Sequence, residues 1–394
     1  MNSSDLALHE RLVATAREVA KELAHHESEC DRLRELSPAS VTAVRESGLF
    51  KVIQPRSIDG LEAGLPTFHA VGRALSEGCA STGWVYMVTG AHTWMLGKYP
   101  QAVQDEVVAS DLHTIIPGSL AANGKAHPVD GGFRISGRWQ FASGCDHGSW
   151  VMVGATQSNS SREDPKHVHA LVPTGDFSID DTWHTLGLRG TGSKDIVLDD
   201  VFVPGHRAMP TGTLFETGDT FSPAGTSFTY SFPVLSTLTW FITAPVLAMT
   251  QRIYAEFVAM TSVRRDRYDG SSKAKKSTTQ MRLAESWAEL RSAELLVSEI
   301  EAIYCNALAN EQDFDVKTRV ELKMRGSYAV TLCRRAADRL YDAAGANSIY
   351  ERSPLMTMMN NLHTMSHHAI ADFDTNATAF GSEALGLGPG TILF

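Results

Sequence analysis

Leu8, Leu12, Ala16, Val19 and Leu23 recur at spacings of four and three, the stripe that one face of an α-helix presents to a core. A second helix is punctuated in SPASVTAVRESG: Ser37 supplies the N-cap, Pro38 the first helical position and Gly48 the stop. The apolar segment 68–96, FHAVGRALSEGCASTGWVYMVTGAHTWML, carries glycines and small residues that predict close helix contacts or a turn near Gly78.

The period then changes. HPVDGGFRISGRWQF places Asp130-Gly131-Gly132 as turn chemistry between two strand-like runs. Further strands are predicted at WVMVGAT (150–156), VHALVP (168–173) and DIVLDDVFVP (195–204), spaced as in a compact antiparallel barrel or sandwich. After Pro245 the pattern is helical again, with long amphipathic stretches at 281–308 and 317–345 and Gly345 as a stop signal. The order is helices, a small β region, then helices.

Composition changes this picture little. The 394 residues are 43% hydrophobic and 20% charged, enough for a large apolar core. The formal net charge of −10 argues against holding nucleic acid or an anionic membrane by charge. Arg264, Arg265, Arg267, Lys273, Lys275 and Lys276 form the one local basic cluster. Five scattered cysteines without C-x-x-C spacing predict neither a disulfide framework nor a zinc site. The start, MNSSDLALHERL, lacks a basic segment followed by an apolar run, so a cytoplasmic, reduced protein is expected. Residues 220–251 carry no charge, yet Pro223, Pro233, Pro245 and many Ser and Thr interrupt them. They read as a buried connector beside an apolar cavity rather than a membrane span.

The chemistry that is missing narrows the field. No G-x-G-x-x-G follows a strand, and there is no P-loop, H-E-x-x-H or G-x-S-x-G. A nicotinamide or ATP site of the chain's own is therefore not expected. His363, His367 and His368 cluster near the C-terminus, but without carboxylates at matching spacing no metal site is predicted.

Six motifs then converge: CASTGWV (79–85), GAHTW (90–94), GRWQFASGCDHGSW (137–150), GLRGTGS (187–193), DVFVP (200–204) and HTMSHHA (363–369). In this order they resemble the acyl-CoA dehydrogenase superfamily, and within it the oxygenase components of two-component flavin monooxygenases acting on phenols or indoles. The stretch LHTMSHHAIA has no carboxylate between Glu351 and Asp372, so the glutamate base of many acyl-CoA dehydrogenases is not evident.

The resemblance implies an α+β, mainly α fold: an N-terminal helical domain (1–112), a β-barrel domain (113–215) and a C-terminal four-helix bundle (216–394). It implies reduced FAD or FMN supplied by a separate reductase, dioxygen as co-substrate, and hydroxylation of an aromatic, polycyclic ones included, through a flavin hydroperoxide. A homotetramer is implied as well, because the family builds flavin sites across subunits. Three alternatives stay open: a dehydrogenase acting on an acyl thioester, a relative that oxygenates nitrogen or sulfur, and a non-catalytic flavin binder.

The residues can be read individually against that expectation. Trp139 and Phe141 alternate with Gln140 and can pack one face of a flat ligand, while Ser143 offers a small hydroxyl where glycine permits close approach. The resemblance puts Ser143 beside flavin N5; a strand-end serine satisfying a turn is the other reading. Trp84 resembles a ring-side tryptophan, or is a helix-core aromatic. Arg189, Thr191 and Ser193 contact the flavin, or form a tight turn. Arg265 resembles an arginine reaching the flavin phosphate from a neighbouring subunit, or is a solvated charge. His92 and His368 resemble pocket histidines that orient or deprotonate the substrate. His147 is a weaker candidate, and nothing marks Cys145 as an activated thiolate.

Overall fold

The computed structural model describes residues 3–109, 111–161, 163–215 and 227–391. Five helices come first: α1 (Ser3–Leu33), α2 (Pro38–Glu46), α3 (Leu65–Gly78), α4 (Ala80–Leu96) and α5 (Gln101–Val108). Seven strands follow: β1 (Gly118–Val129), β2 (Gly132–Ala142), β3 (Trp150–Gln157), β4 (His167–Pro173), β5 (Ser178–Asp180), β6 (Lys194–Pro204) and β7 (Ala208–Pro210). The remaining helices are α6 (Thr211–Phe215), α7 (Val234–Phe241), α8 (Thr243–Val263), α9 (Ser277–Asn310), α10 (Val316–Ala344), α11 (Pro354–Ser366) and α12 (Phe373–Ala384). The chain divides into two compact units, one of Met1–His184, Arg189–Thr237 and Cys305–Phe314, the other of Thr185–Leu188, Leu238–Tyr304 and Asp315–Phe394.

In the first unit the helix signals act as predicted. Ser37 Oγ accepts from Ser40 N at 3.2 Å, and Gly48 leaves α2 in the left-handed region. The glycines of 68–96 set the α3–α4 contact. A Cβ at Gly83 would lie 2.0 Å from Ser76 Oγ, and one at Gly90 would lie 2.5 Å from the Phe68 ring. This closeness leaves α4 buried along almost its whole length.

The strands form one sheet of order β5-β6-β2-β1-β3-β4-β7. It is open: the three-residue strands β5 and β7 are its edges, and no pairing closes it into a barrel among the described residues. It is also mixed, where an antiparallel arrangement was expected. After the Asp130-Gly131 hairpin the chain crosses the end of β1 and returns as β3, parallel to β1. That crossover is made by residues 143–149. Val151, Val153, Ala170, Val172, Ile196 and Trp139 supply the core of this sheet.

In the second unit α10 packs against α8, α11 and α12, and α11 against α8. Ser286 Oγ of α9 donates to Ala336 O of α10 at 3.1 Å. Of the uncharged run, residues 220–226 lie outside the described residues. Residues 227–233 connect through a short turn at Phe228–Tyr230, and 234–251 are not a connector but build α7 and the start of α8, mostly buried as expected. Several hydroxyls of the run donate to a carbonyl three or four residues back, as Thr237 does to Pro233 O at 2.7 Å and Thr250 to Val246 O at 2.8 Å, whereas Thr239 donates to Ile370 O at 3.2 Å. Val234–Val263 is long and apolar enough to cross a membrane, and 83% of its most apolar window is buried inside the protein.

Candidate active site

The β2-to-β3 crossover, residues 143–149, holds the candidate side chains Ser143, Cys145 and His147. Ser143 Oγ lies 2.7 Å from Ser193 Oγ, which lies 2.7 Å from Thr191 Oγ1. Trp84 Nε1 donates to Ser143 Oγ at 3.3 Å. All four side chains are buried. The two loops are joined again by Gly144 N donating to Thr191 O at 2.8 Å and by Cys145 Sγ donating to Gly192 O at 3.3 Å. A Cβ on Gly144 would press on Val85 of α4 at 2.7 Å, so the crossover rests directly on that helix. Burial pushes the Cys145 thiol up to about 12, which makes it an inert packing group.

Phe141 sits differently from expectation. Between Trp139 and Ala142 the register with β6 shifts by one residue, and Phe141 takes φ +66°. This bulge breaks the two-residue alternation. Trp139 therefore turns into the sheet, fully buried, with Nε1 donating to Gly154 O at 2.7 Å and its ring lying against Gly124 and Gly137. Phe141 turns out and is 66% exposed. The two aromatics do not share a ligand face, and Trp139 is a core residue. A bulky residue at positive φ costs about 1–3 kcal/mol and persists only where its surroundings impose it.

His92 lies two helical turns beyond Trp84 on α4, about 12 Å along the axis. Its Nδ1 donates to Ile116 O at 2.8 Å, which leaves the lone pair on Nε2. Burial pulls its pKa down to about 4 against the bond to Ile116, so the ring is neutral near neutral pH. His169, which sequence reasoning passed over, is also buried and is pulled down to about 4, burial again being the main cause and His92 a contributor. His147 is held below the usual range by burial, and its Nε2 is buried without a hydrogen-bond partner.

Around this centre, Arg189 Nε donates to Asp31 O at 3.2 Å. Lys194 Nζ meets Asp146 at 2.7 Å and Glu35 at 3.2 Å, holding the crossover to the end of α1. Trp183 is the other residue that sequence reading missed. Its ring meets Phe141 edge-on, centroids 6.1 Å apart at 87°. Its only sequence signal is an aromatic placed just ahead of GLRGTGS.

The second unit holds Arg265 and His368. Arg265 is exposed on a short hairpin and donates to Gly270 O at 3.1 Å. His368 is exposed and caps the turn at Ala369–Ala371, its Nδ1 accepting from Ile370 N at 3.3 Å. The neutral ring therefore carries its proton on Nε2. Asp372 is occupied as the cap of α12, accepting from Thr375 N at 2.8 Å, which holds its carboxyl below the usual range. His363 Nε2 meets Asp338 at 2.8 Å. Among the described residues no group of three or more His, Cys, Asp or Glu converges on a metal position.

Residues 7–111 match the family description "Acyl-CoA dehydrogenase, N-terminal domain" and residues 240–373 "Acyl-CoA dehydrogenase, C-terminal domain". The chain is 31% identical to the flavin-dependent monooxygenase oxygenase subunit HsaA of Mycobacterium tuberculosis, covering 91% of each chain. It is 29% identical to the oxygenase component of an FADH(2)-dependent resorcinol hydroxylase of Rhizobium sp., covering 97% of this chain and 95% of the other. The solved structure of XiaF from Streptomyces sp. in complex with FADH2 and glycerol superposes with a TM-score of 0.92 at 26% identity, covering 99% and 98% of the two chains.

Helices, one mixed sheet and helices, with a hydroxyl chain at the sheet's crossover, define an acyl-CoA dehydrogenase-type flavoprotein. Within that class the chain belongs to the oxygenase subunits of the flavin-dependent monooxygenases.

The residues present fit a flavin ring. A flat heteroaromatic with polar edge atoms needs an apolar face and hydroxyl or N–H partners at one edge. The bulged Phe141 would supply an exposed face, and the Ser143–Ser193–Thr191 hydroxyls, with Ser143 oriented by Trp84 Nε1, would supply the partners.

Proposed function

We propose that this monooxygenase hydroxylates a phenol or indole, polycyclic ones included, using reduced FAD or FMN delivered by a separate reductase. The observation that carries this reading is the buried hydroxyl chain of Ser143, Ser193 and Thr191 beside the outward-turned Phe141. Reduced flavin, when bound, would supply the two electrons that activate dioxygen, one oxygen atom of which goes to the substrate and the other to water.

The chain's own residues then have separate tasks. Ser143 Oγ, oriented by Trp84 Nε1 and Ser193, holds the ring nitrogen and fixes its proton. Phe141 covers one face and sheds water from it. Arg189, Thr191 and Ser193 line the same loop, and Arg265 serves the phosphate of a flavin in a neighbouring subunit of a homotetramer. Trp139 is left out of the ligand set because it is spent in the core.

The two candidate histidines have opposite polarity. His92 presents an acceptor at Nε2 and, held near 4, orients a substrate hydroxyl or N–H rather than storing its proton. His368, with Nδ1 occupied by Ile370 N, presents a donor at Nε2 suited to a phenolate oxygen. Asp372 is engaged as a helix cap, which argues against a carboxylate base acting on an acyl thioester there. A cytoplasmic location, and a four-helix bundle formed by the helices after residue 240, belong to the same proposal.

The deciding experiment supplies the purified chain with chemically reduced FAD or FMN and ¹⁸O₂ in the presence of phenols and indoles. One labelled oxygen in the product is expected, with no NADH oxidation by the chain alone. Reduction of an electron-accepting dye by acyl-CoA, with every aromatic recovered unchanged, would overturn the proposal.

A further inference from the structure

Phe141 is held from behind. Trp183, 8% exposed, meets its ring edge-on at 6.1 Å and 87°. The strap that carries Trp183 is tied at two places. On one side Arg34, at the end of α1 with φ +60°, donates from Nη1 to Trp183 O at 3.2 Å and grips Asp181 through both guanidinium nitrogens. On the other, Thr182 Oγ1 donates to Asp195 Oδ1 at 2.8 Å, and Arg138 Nη1 reaches both Asp195 at 3.0 Å and Asp180 at 2.7 Å.

This bracing is disproportionate for an idle surface ring. A bulged, left-handed Phe141 with most of its surface in solvent has little of its own packing to fix the plane of its ring. The edge of Trp183 fixes it, and three elements (α1, β2 and β6) fix Trp183. We propose that Trp183, clamped by Arg34, is a positioning residue that sets the plane of Phe141 and so determines how tightly and in what orientation the flat cofactor is held at Ser143. This rests on the flavin reading of that site, and it adds a residue whose effect passes through another side chain.

The test is anaerobic titration of the full-length chain with reduced FAD and reduced FMN, following affinity and the circular dichroism induced in the flavin bands, which reports ring orientation. The chains compared are wild type, Phe141→Gly, Trp183→Leu, Trp183→Phe, and Phe141→Gly with Trp183→Leu. Wild-type binding establishes the underlying reading; its absence would sink that reading and leave nothing for Trp183 to position. With binding present, Trp183→Leu is expected to weaken affinity about three- to tenfold and change the induced spectrum. Trp183→Phe, which keeps an aromatic edge, is expected to restore most of both. In the Phe141→Gly background Trp183→Leu should then add almost nothing, because its route to the ligand is gone. Full additivity of the two substitutions, or an unchanged affinity and spectrum in Trp183→Leu, overturns the inference. Thermal unfolding of each variant identifies misfolding; if Trp183→Leu fails to fold, Arg34→Lys, which loses the two-pronged grip on Asp181, takes its place in the same cycle.

Discussion

Ser143 Oγ and Ser193 Oγ lie 2.7 Å apart although 50 positions separate them in the chain. The crossover after β2 and the loop before β6 are brought together by β2–β6 pairing, and the buried hydroxyls close the gap. Buried hydroxyls at this spacing orient one another, so the proton each presents is determined by its neighbours.

Replacing Ser143 with alanine removes the acceptor of Trp84 Nε1 and the first hydroxyl of the chain. Folding stability is expected to fall by about 1 kcal/mol, whereas product formed per oxygen consumed should drop on the order of a hundredfold. Oxygen-electrode traces run beside product analysis read both quantities. An unaltered product yield would remove Ser143 from the mechanism.

His92 contributes pH-dependent stability. Its pKa is lowered from 6.5 to about 4 in the folded protein, so between those values the unfolded chain binds the additional proton. Stability is full above about pH 6.5 and is lost as pH falls toward 4. His169 and His69, lowered to about 4 and about 3 by burial, act in the same direction. His92→Asn should shallow the loss by about 2 kcal/mol at about pH 5. Urea unfolding at about pH 7.5 and about pH 5 measures it; equal slopes for both chains would show that His92 is not buried neutral.

Trp139→Phe opens a gap beside Gly124 and deprives Gly154 O of its donor. A stability loss of about 1–3 kcal/mol is expected, with flavin affinity per folded molecule unchanged. Weakened flavin binding in a variant as stable as wild type would return Trp139 to the ligand set.

His368→Ala should leave stability within about 0.5 kcal/mol, since the side chain is exposed and caps a single turn. Turnover of a phenol should fall at least tenfold if a donor at Nε2 holds the phenolate oxygen, an effect in the range of positioned acid–base groups. A phenol rate equal to wild type excludes that role and favours a substrate oxygenated at nitrogen or sulfur.

Much of the scaffold was legible along the chain because local physics decided it. Ser37, Pro38 and Gly48 bound α2 through capping and φ preferences that act within a few residues, and Asp130-Gly131 turns the hairpin for the same reason. Six spaced motifs also revealed the family. The site is less legible. Two-residue alternation placed Trp139 and Phe141 together, and a single bulge against β6 separated them.

The sequence by itself determined the helical stripes, the capped boundaries, the main strands, the missing dinucleotide motif and the family. Tertiary structure alone decided that the sheet is open and mixed, that Trp139 is core while Phe141 faces out, and that Trp183 stands behind Phe141 under Arg34. Periodicity and capping are written in neighbours a few positions apart. Register shifts, burial and contacts between residues about a hundred positions apart depend on which segments pair, and no local pattern encodes that.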